Sequence, residues 1–304
     1  MRYILETTIL RVMAFLLRPL PRGVCLALGR QLGMLIYFLA FRRRKLAMRN
    51  LKMALGNEYA PGDLEKIARG SFMHLGMNVT EFFQFPRLTD DLIKEIVSFE
   101  GEELLKETLR RGKGVLILSA HIGNWDLLST VLVMSGYPLT VITKYSRSEA
   151  INRVWVKYRA EKGLKILRGR GAMRETIKLL KRGGIVAFVM DQNARLTEGV
   201  FVPFFGKQAC TLTSLAILAR RTGSPVLPVY SYRTGGGHHI VIEEPLRHDP
   251  LPDTGEDTVE RTRAYTQWVE KVVRQHPDQW TWLHDRWRTR PEEETKAQSS
   301  KPKA

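Results

Sequence analysis

Residues 115–126 read Val-Leu-Ile-Leu-Ser-Ala-His-Ile-Gly-Asn-Trp-Asp, and this stretch determines the fold that we expect. Its first four residues are wholly apolar, as is typical of a short strand with both faces buried. Gly123 and Asn124 are typical of a turn, and residues 126–134 have the apolar pattern of a helix. The stretch therefore predicts a buried strand, a turn and a helix, in that order.

The same alternation continues on both sides of this stretch. We predict further strands at residues 139–143, 165–167, 185–190, 226–232 and 239–243, and helices at 102–111, 149–162, 172–181, 212–221 and 259–275. Alternating strands and helices form a mostly parallel sheet that is covered on both faces. We therefore predict a single α/β domain at residues 45–290, beginning with helices at 45–56 and 61–85. The polar residues 291–304 predict a disordered tail.

His121 and Asp126 are candidate catalytic residues, because ligand sites in such sheets lie at the carboxyl ends of the strands. If Asp126 lies in the first turns of the helix, it can hold one imidazole nitrogen while the other accepts a proton. The backbone N–H groups of Gly123 and Asn124 are candidate donors to a developing oxyanion. A helix-capping histidine beside a solvated aspartate is the alternative interpretation.

Polar and aromatic residues after the predicted strand at 185–190 are further candidates. Asp191, Gln192 and Arg195 should lie at the same sheet edge as His121, where they would contact a substrate. Three phenylalanines follow, and they either line an apolar slot or belong to the core beneath a loop: Phe201, Phe204 and Phe205.

The chain has 304 residues and a net charge of +17, from 48 Lys and Arg against 31 Asp and Glu. Residues 1–50 contain ten basic side chains and one acid, and residues 144–182 contain thirteen basic and three acidic side chains. The remainder is slightly acidic, so we expect two basic surfaces that bind anionic partners. Some basic residues of the second segment are candidate anion ligands, among them Lys144 and the helical residues Arg153, Lys157 and Arg159.

The first basic segment is also the most apolar one. Residues 3–17 and 23–41 are mostly aliphatic or aromatic, and the prolines in Arg18-Pro-Leu-Pro-Arg22 separate them. The longest window without charge, residues 31–41, is shorter than the roughly 20 apolar residues of a membrane span. We predict that residues 1–44 form membrane-associating helices in the interface, with a single span and soluble core helices as alternatives.

Several classes of site are excluded because the sequence lacks the residue patterns that they require. Two cysteines without a CxxC motif cannot form a disulfide framework or a cysteine-based zinc site. The chain has no GxSxG elbow and no GxxxxGK[ST] loop. His238 and His239 are adjacent on a predicted strand and face opposite ways, so we expect surface residues and no metal site. The alternating Trp and Arg residues at 280–290 suit a lipid headgroup or nucleic-acid bases.

The motifs taken together resemble the lipid A late acyltransferases of the lysophospholipid acyltransferase superfamily. HIGNWD is followed in order by DQN, EGVFVPFFG, TLTSLAILARRTGSPVLPV and PDQWTWLHDRWRTRP. The earlier RRRKLAMRNLKMALG and SFMHLGMNVTEFF are also similar to that family, so the resemblance covers residues 15–291.

The resemblance implies transfer of a fatty acyl chain from acyl carrier protein to a hydroxyl of a phosphorylated lipid A precursor. It implies a protein at the cytoplasmic face of the cell inner membrane, in contact with anionic lipid and without cofactor or metal. His121 would be the general base, oriented by Asp126. Asp191 and Gln192 match a DQ pair of the family, Arg159 matches a family arginine, and Lys144 replaces an arginine of many members.

Three alternatives to this function stay open at the level of sequence. The acceptor could be another glycolipid or a lysophospholipid, such as a phosphatidylinositol mannoside. A basic nucleic-acid-binding protein would explain the charge, although the apolar first 41 residues argue against nucleic acid as the partner. A non-catalytic membrane adaptor would not require His121 or Asp126.

Overall fold

A seven-stranded sheet is the centre of the computed structural model, which describes residues 2–143, 146, 148–169, 171–246 and 255–292. The strands of these described residues are β1 Val97–Glu100, β2 Val115–Ser119, β3 Leu139–Ile142, β4 Lys165–Leu167, β5 Ile185–Val189, β6 Gly199–Phe204, β7 Lys207–Leu212, β8 Val226–Arg233 and β9 His238–Ile242. The sheet order is β1-β9-β8-β2-β5-β3-β4, and β6 and β7 form a separate antiparallel hairpin.

Five adjacent strands, from β8 to β4, run parallel, whereas β9 is antiparallel to β8 and β1 follows the direction of β9. The helices of the described residues are α1 Arg2–Leu17, α2 Arg22–Leu39, α3 Phe41–Leu55, α4 Pro61–Phe82, α5 Asp90–Ile96, α6 Glu102–Arg110, α7 Trp125–Met134, α8 Glu149–Glu161, α9 Ala172–Lys181, α10 Ser214–Thr222 and α11 Gly255–Gln275. The predicted α/β fold with a mostly parallel sheet is confirmed.

The apolar sequence of β2 reflects its position between two cores. Leu116 and Leu118 belong to a core with side chains of α3, α4, α10 and α11. Val115 and Ile117 belong to the opposite core, which includes side chains of α5, α6 and α7. Each fully buried aliphatic side chain contributes about 1.5–3 kcal/mol. The strand from which the HIGNWD stretch emerges is therefore fixed from both faces.

The β6–β7 hairpin and β1 were not predicted from the sequence. The two-residue hairpin loop has positive φ at both Phe205 (50°) and Gly206 (68°), as in a type I′ turn. Pro203 lies in β6, and a proline argues against a strand in a sequence pattern. β1 has only four residues and is partly exposed, so it lacks a long apolar run.

Helices α2 and α4 cross in direct backbone contact. Gly29 and Gly33 of α2 form a GxxxG pattern, and they face Gly76 of α4. A Cβ added at Gly76 would lie 2.1 Å from the Gly29 carbonyl oxygen, and one at Gly33 would lie 2.2 Å from the Phe72 carbonyl oxygen. Small residues permit such close packing. The apolar N-terminal segment is thus attached to the α/β body, and its boundary at residue 44 stays a prediction.

The opposite faces of the first helices are apolar and exposed. Most exposed large apolar side chains of the described residues lie on α1, α2 and the start of α3: Tyr3, Ile4, Leu5, Ile9, Val12, Phe15, Leu16, Val24, Leu28, Leu35, Ile36, Phe38, Leu39 and Phe41. By length and composition, α2 is the one helix in the described part of the chain that could cross a membrane. An apolar surface of this extent marks an interaction site.

Candidate active site

The register of the two central strands places His121 beside Asp191. β2 and β5 pair in parallel, with Ser119 opposite Val189. Two residues further along each chain, beyond the ends of the strands, are His121 and Asp191. Asp191 accepts hydrogen bonds from the backbone N–H of His121 at 2.9 Å and from its Nδ1 at 2.7 Å. The sheet therefore sets this pair directly.

The charge state of the pair follows from its surroundings. Burial alone would raise the pKa of Asp191, but the charge of His121 and the hydrogen bonds from His121 and Trp280 lower it to about 2. Burial would lower the pKa of His121, but the charge and hydrogen bond of Asp191 and the charge of Asp126 raise it. Asp191 is thus ionised at neutral pH, and His121 is a stronger base than an ordinary histidine.

One imidazole nitrogen is left to accept a proton. When Nδ1–H donates to Asp191, the free lone pair lies on Nε2, and the Nε2 of Gln192 is 3.3 Å from it. The His121 side chain is 21% exposed, whereas that of Asp191 is 1% exposed. The Trp125 ring packs edge-on against the imidazole at 4.8 Å between centroids. A reactant can therefore approach Nε2 while the carboxylate stays inaccessible.

Asp126 lies where we expected it along the chain but has a different partner from the expected one. It lies in the first turn of α7 and accepts hydrogen bonds from Arg159 of α8, one of them through Nε at 2.9 Å. The expected hydrogen bond between Asp126 and the imidazole is therefore wrong, because the strand register puts Asp191 at Nδ1. The ion pair also engages Arg159, whose side chain is 9% exposed, so Arg159 is not an open ligand for substrate.

Gly123 and Asn124 hold the loop between β2 and α7 in shape. Gly123 has φ +56°, and a Cβ there would lie 2.1 Å from the Ser231 carbonyl oxygen. Its N–H donates to the Gln279 carbonyl at 3.2 Å, which makes it a poor oxyanion donor, contrary to expectation. Asn124 caps α7 by accepting a hydrogen bond from the Leu127 N–H at 3.0 Å. An oxyanion role for the backbone of Asn124 stays a prediction.

A buried carboxylate from α4 supports this loop from beneath. Glu81 accepts hydrogen bonds from Asn124 Nδ2 at 2.7 Å, Arg22 Nη2 at 2.9 Å, Arg233 Nη2 at 2.9 Å and His238 Nε2 at 3.0 Å. Burial would raise the pKa of Glu81, but the partners His238 and Arg233 bring it well below its usual value. Glu81 therefore joins the start of α2, the sheet and the cap of α7 in one charged network.

His238 is a buried member of this network, so the expected surface position is wrong for it. Its strand, β9, lies between β1 and β8 rather than at an edge of the sheet. His239 points to the other face and contacts Ser98 and Glu100. No group of three or more His, Cys, Asp or Glu side chains in the described ranges is arranged to hold a metal ion.

The segment that follows α11 contributes residues that the sequence analysis did not assign to the site. Trp280 Nε1–H donates to Asp191 at 2.6 Å, and Thr281 Oγ1 donates to the His121 carbonyl at 3.2 Å. His284 accepts the Asn193 N–H through Nε2 at 3.0 Å, and burial lowers the pKa of His284 to about 4. His284 is thus neutral, and its Nε2 is already engaged.

The expected headgroup or base-stacking role is wrong for the buried part of residues 280–290. Trp280, Trp282 and Trp287 belong to the first core. Arg286 is 1% exposed and donates to the Cys210 carbonyl and to Thr211 Oγ1. Only the outward residues of the segment, such as Arg288 and Arg290, are exposed.

The remaining predicted site residues divide into three groups. Phe204 and Phe205 are buried against Trp280, Trp282 and Trp287, which supports the core alternative rather than an apolar slot, and Phe201 is half-buried on β6. Gln192 and Arg195 are exposed, and only Gln192 lies within reach of the imidazole. Lys144 lies outside the described residues.

Comparison with known proteins identifies the class of enzyme. A family described as bacterial lipid A biosynthesis acyltransferase matches residues 2–289. The chain therefore belongs to this family and is an acyltransferase. It is 28% identical over 284 residues to the lipid A biosynthesis lauroyltransferase of Escherichia coli, covering 91% of this chain and 90% of that one.

Two other relatives have names that specify a different acyl chain or a different acceptor. The lipid A biosynthesis palmitoleoyltransferase of Escherichia coli is 25% identical, over 90% of this chain and 87% of its own length. The phosphatidylinositol mannoside acyltransferase of Mycolicibacterium smegmatis is 24% identical, over 79% of this chain and 78% of its own length. These names differ in acyl chain and acceptor but share acyl transfer.

Proposed function

We propose that the protein transfers a fatty acyl chain from acyl carrier protein to a hydroxyl of a phosphorylated lipid A precursor. The observation that carries this proposal is the His121–Asp191 pair, a partly exposed imidazole with a buried ionised carboxylate behind it. Membership of the lipid A biosynthesis acyltransferase family supports a glycolipid as the acceptor. The pair supplies the general base that an attacking hydroxyl requires.

His121 Nε2 accepts the proton of the acceptor hydroxyl as the oxygen attacks the thioester carbonyl carbon. The C–S bond then breaks, the leaving sulfur takes the proton from the imidazolium, and an ester remains on the acceptor. Asp191 stabilises the imidazolium between these steps and holds Nδ1–H in place. In this scheme Asp126 contributes negative potential and fixes α7 through Arg159 rather than orienting the ring.

The proposed location is the cytoplasmic face of the inner membrane. The exposed apolar side chains of α1 and α2 support membrane contact, and the basic residues 42–45 at the start of α3 suit anionic headgroups. The length of α2 is compatible with either a span or an interfacial position. A phosphorylated glycolipid acceptor would then reach His121 from the membrane side.

A phosphatidylinositol mannoside is the second candidate acceptor, because one relative carries that name. The test uses the purified full-length enzyme in a non-ionic detergent with two donors, acyl carrier protein thioester and acyl-coenzyme A. Each donor is paired with a lipid A precursor or a phosphatidylinositol mannoside, and products are read by mass spectrometry. His121→Ala provides the background.

We expect one acyl chain to be added to the lipid A precursor from the carrier-protein donor. Product formed only on the mannoside would favour the second candidate. Equal rates with acyl-coenzyme A would contradict the assignment of the carrier protein as donor. Absence of any acyl product with all four combinations would contradict the proposed function itself.

A further inference from the structure

A cavity of about 860 Å³ lies between α1 and α8, away from His121. Its wall includes residues from both basic segments of the sequence: Arg11 and Arg18 from the first, and Arg153 and Lys157 from the second. Arg87 also lines the cavity, near the end of α1. The two basic segments that we expected to form separate surfaces therefore meet here. The volume is within the range of small-molecule sites.

The cations of this cavity outnumber their anionic partners. Arg153 pairs with Glu149, and Lys157 is 3.8 Å from Glu161. Within the described residues, Arg11, Arg18 and Arg87 form no ion pair with a carboxylate. Arg18 donates to the Tyr158 hydroxyl at 2.7 Å, while Arg87 donates to backbone carbonyls. A cluster of this charge binds an anion with several oxygens, such as a phosphate ester.

Two polar atoms on the cavity wall have no protein partner. Thr7 Oγ1 and Arg18 Nε are buried without a hydrogen bond within the described part of the chain. Buried polar groups are normally paired, and one left unpaired is costly. Both atoms are themselves closed to solvent, so they add polarity to the wall and are not counted as direct ligands.

The rest of the wall is apolar. Leu10, Ala14 and Phe15 of α1 face Ala150 and Val154 of α8 across the cavity. Phe15 is 79% exposed and also belongs to the apolar outer surface of α1. The cavity therefore continues into the face that we assign to the membrane. Cations combined with such a surface suit an anionic amphiphile rather than a free anion.

The cavity is distinct from the catalytic centre because α8 separates them. Arg153 and Lys157 are four residues apart and share the cavity face of the helix. Trp155 and Arg159 are also four apart and share another face, on which Arg159 pairs with Asp126. At 3.6 residues per turn, positions 157 and 159 differ by about 200° around the axis.

We propose that this cavity binds an anionic phospholipid of the membrane, with its phosphate on the arginines and its chains along α1. The bound lipid would fix α1 against α8. It would thereby orient the enzyme on the bilayer without entering the reaction. Charge complementarity and the continuity with the exposed face of α1 favour a membrane lipid over the acceptor, which must reach His121 on the other side of α8.

The test measures binding by isothermal titration calorimetry on the full-length protein in non-ionic detergent. The probe is a short-chain phosphatidylglycerol, and the matched neutral probe is phosphatidylcholine with the same chains. The variant Arg11→Gln/Lys157→Gln removes two cavity charges. The control Lys113→Gln/Arg182→Gln removes two exposed charges. They lie in the turns before β2 and β5, at the end of these strands that is opposite to His121.

We expect phosphatidylglycerol to bind about tenfold more tightly than phosphatidylcholine, and the cavity variant alone to lose about tenfold in affinity. His121→Ala should bind like the wild type, so this result is independent of acyl transfer. Equal affinity of the cavity variant and the control would overturn the proposal. Inorganic phosphate that binds as tightly, or a phosphorylated glycolipid acceptor that displaces the probe, would overturn the phospholipid assignment.

Discussion

Replacing Asp191 by asparagine should convert His121 into the wrong tautomer. Asp191 Oδ2 accepts from the His121 backbone N–H and from Trp280 Nε1, whereas Oδ1 accepts from Nδ1. In the Asp191→Asn variant, the amide oxygen would have to keep the first two bonds, so the NH2 group would face Nδ1. Nδ1 would then accept a hydrogen bond, the proton would move to Nε2, and Nε2 could no longer act as a base.

The magnitude of this effect comes from two sources. Loss of a correctly oriented general base costs about 10²–10⁴-fold in kcat. In addition, lowering the pKa of Asp191 from 3.8 to about 2 stabilises the folded protein by about 2 kcal/mol at neutral pH. That contribution is present above the unfolded pKa and is lost as pH falls through the folded one. Asp191→Asn should therefore lose about 10²–10⁴-fold in kcat and be less stable by about 2 kcal/mol.

The assay is the pH dependence of kcat/KM from about pH 5 to 9. In the wild type, the rate should rise with pH through a pKa above 6.5, because Asp191 raises the pKa of His121 and only the neutral ring is a base. The acidic limb of the residual activity of Asp191→Asn should shift to lower pH, because burial lowers the pKa of His121 and the charge of Asp191 no longer opposes it. Asp285→Asn removes a carboxylate that pairs with Arg49 and serves as the control.

An Asp191→Asn enzyme with the wild-type rate and the same acidic limb of the pH profile would show that Asp191 does not set the tautomer of His121. A large loss of kcat/KM in Asp126→Asn, with a shift of the acidic limb of its pH profile that Asp191→Asn does not show, would indicate that Asp126 orients the imidazole.

Three further substitutions test the supports of the site. Glu81→Gln should lower stability by about 3–5 kcal/mol, because it leaves a buried cationic network without its anion; thermal unfolding should show a drop of about 5–8 °C, and Glu65→Gln on the exposed face of the same helix should show none. Gly76→Val should separate α2 from α4 and lower the melting temperature, whereas Gly62→Val, where an added Cβ meets nothing within 4 Å, should not; equal melting curves would contradict the packing. Gly123→Ala should lower both kcat and the melting temperature, because its Cβ would clash with the Ser231 carbonyl oxygen in the loop that carries His121; an unchanged kcat would exclude that constraint.

The strands around the site could be predicted because their apolar sequences indicate that both faces are buried. β2 and β5 are apolar on both faces, and such runs stand out against the amphipathic helices between them. Parallel strands of one sheet end at one edge, so the proximity of Asp191 to His121 at that edge could be expected. The family motifs led to the same edge.

The partner of the imidazole could not be derived, because it depends on strand order. β3 follows β2 in the chain, yet β5 is the neighbour of β2 in the sheet. Only that neighbour, in the observed register, brings Asp191 to Nδ1. Asp126 is closer in sequence, but α8 presents Arg159 to it. Local spacing therefore identified the right loop and the wrong carboxylate.

The burial of Arg286 and His238 was also hidden from sequence. Both residue types are usually exposed or partly exposed, and each is buried here because it has specific acceptors: the carbonyl of Cys210 for one and Glu81 for the other. The GxxxG pattern at Gly29 and Gly33 does indicate close packing of α2 at the level of sequence. Charge and hydropathy alone do not reveal this packing.

The single-turnover rate of acyl transfer by His121→Ala tests whether His121 is the base of the reaction. His284→Ala is the matched control, because His284 is a neighbouring histidine whose Nε2 is occupied by the Asn193 N–H. We expect a loss of about 10²–10⁴-fold or more in His121→Ala and a far smaller change in the control, with both proteins folded. A His121→Ala enzyme that transfers acyl chains as fast as the control would show that His121 is not the base.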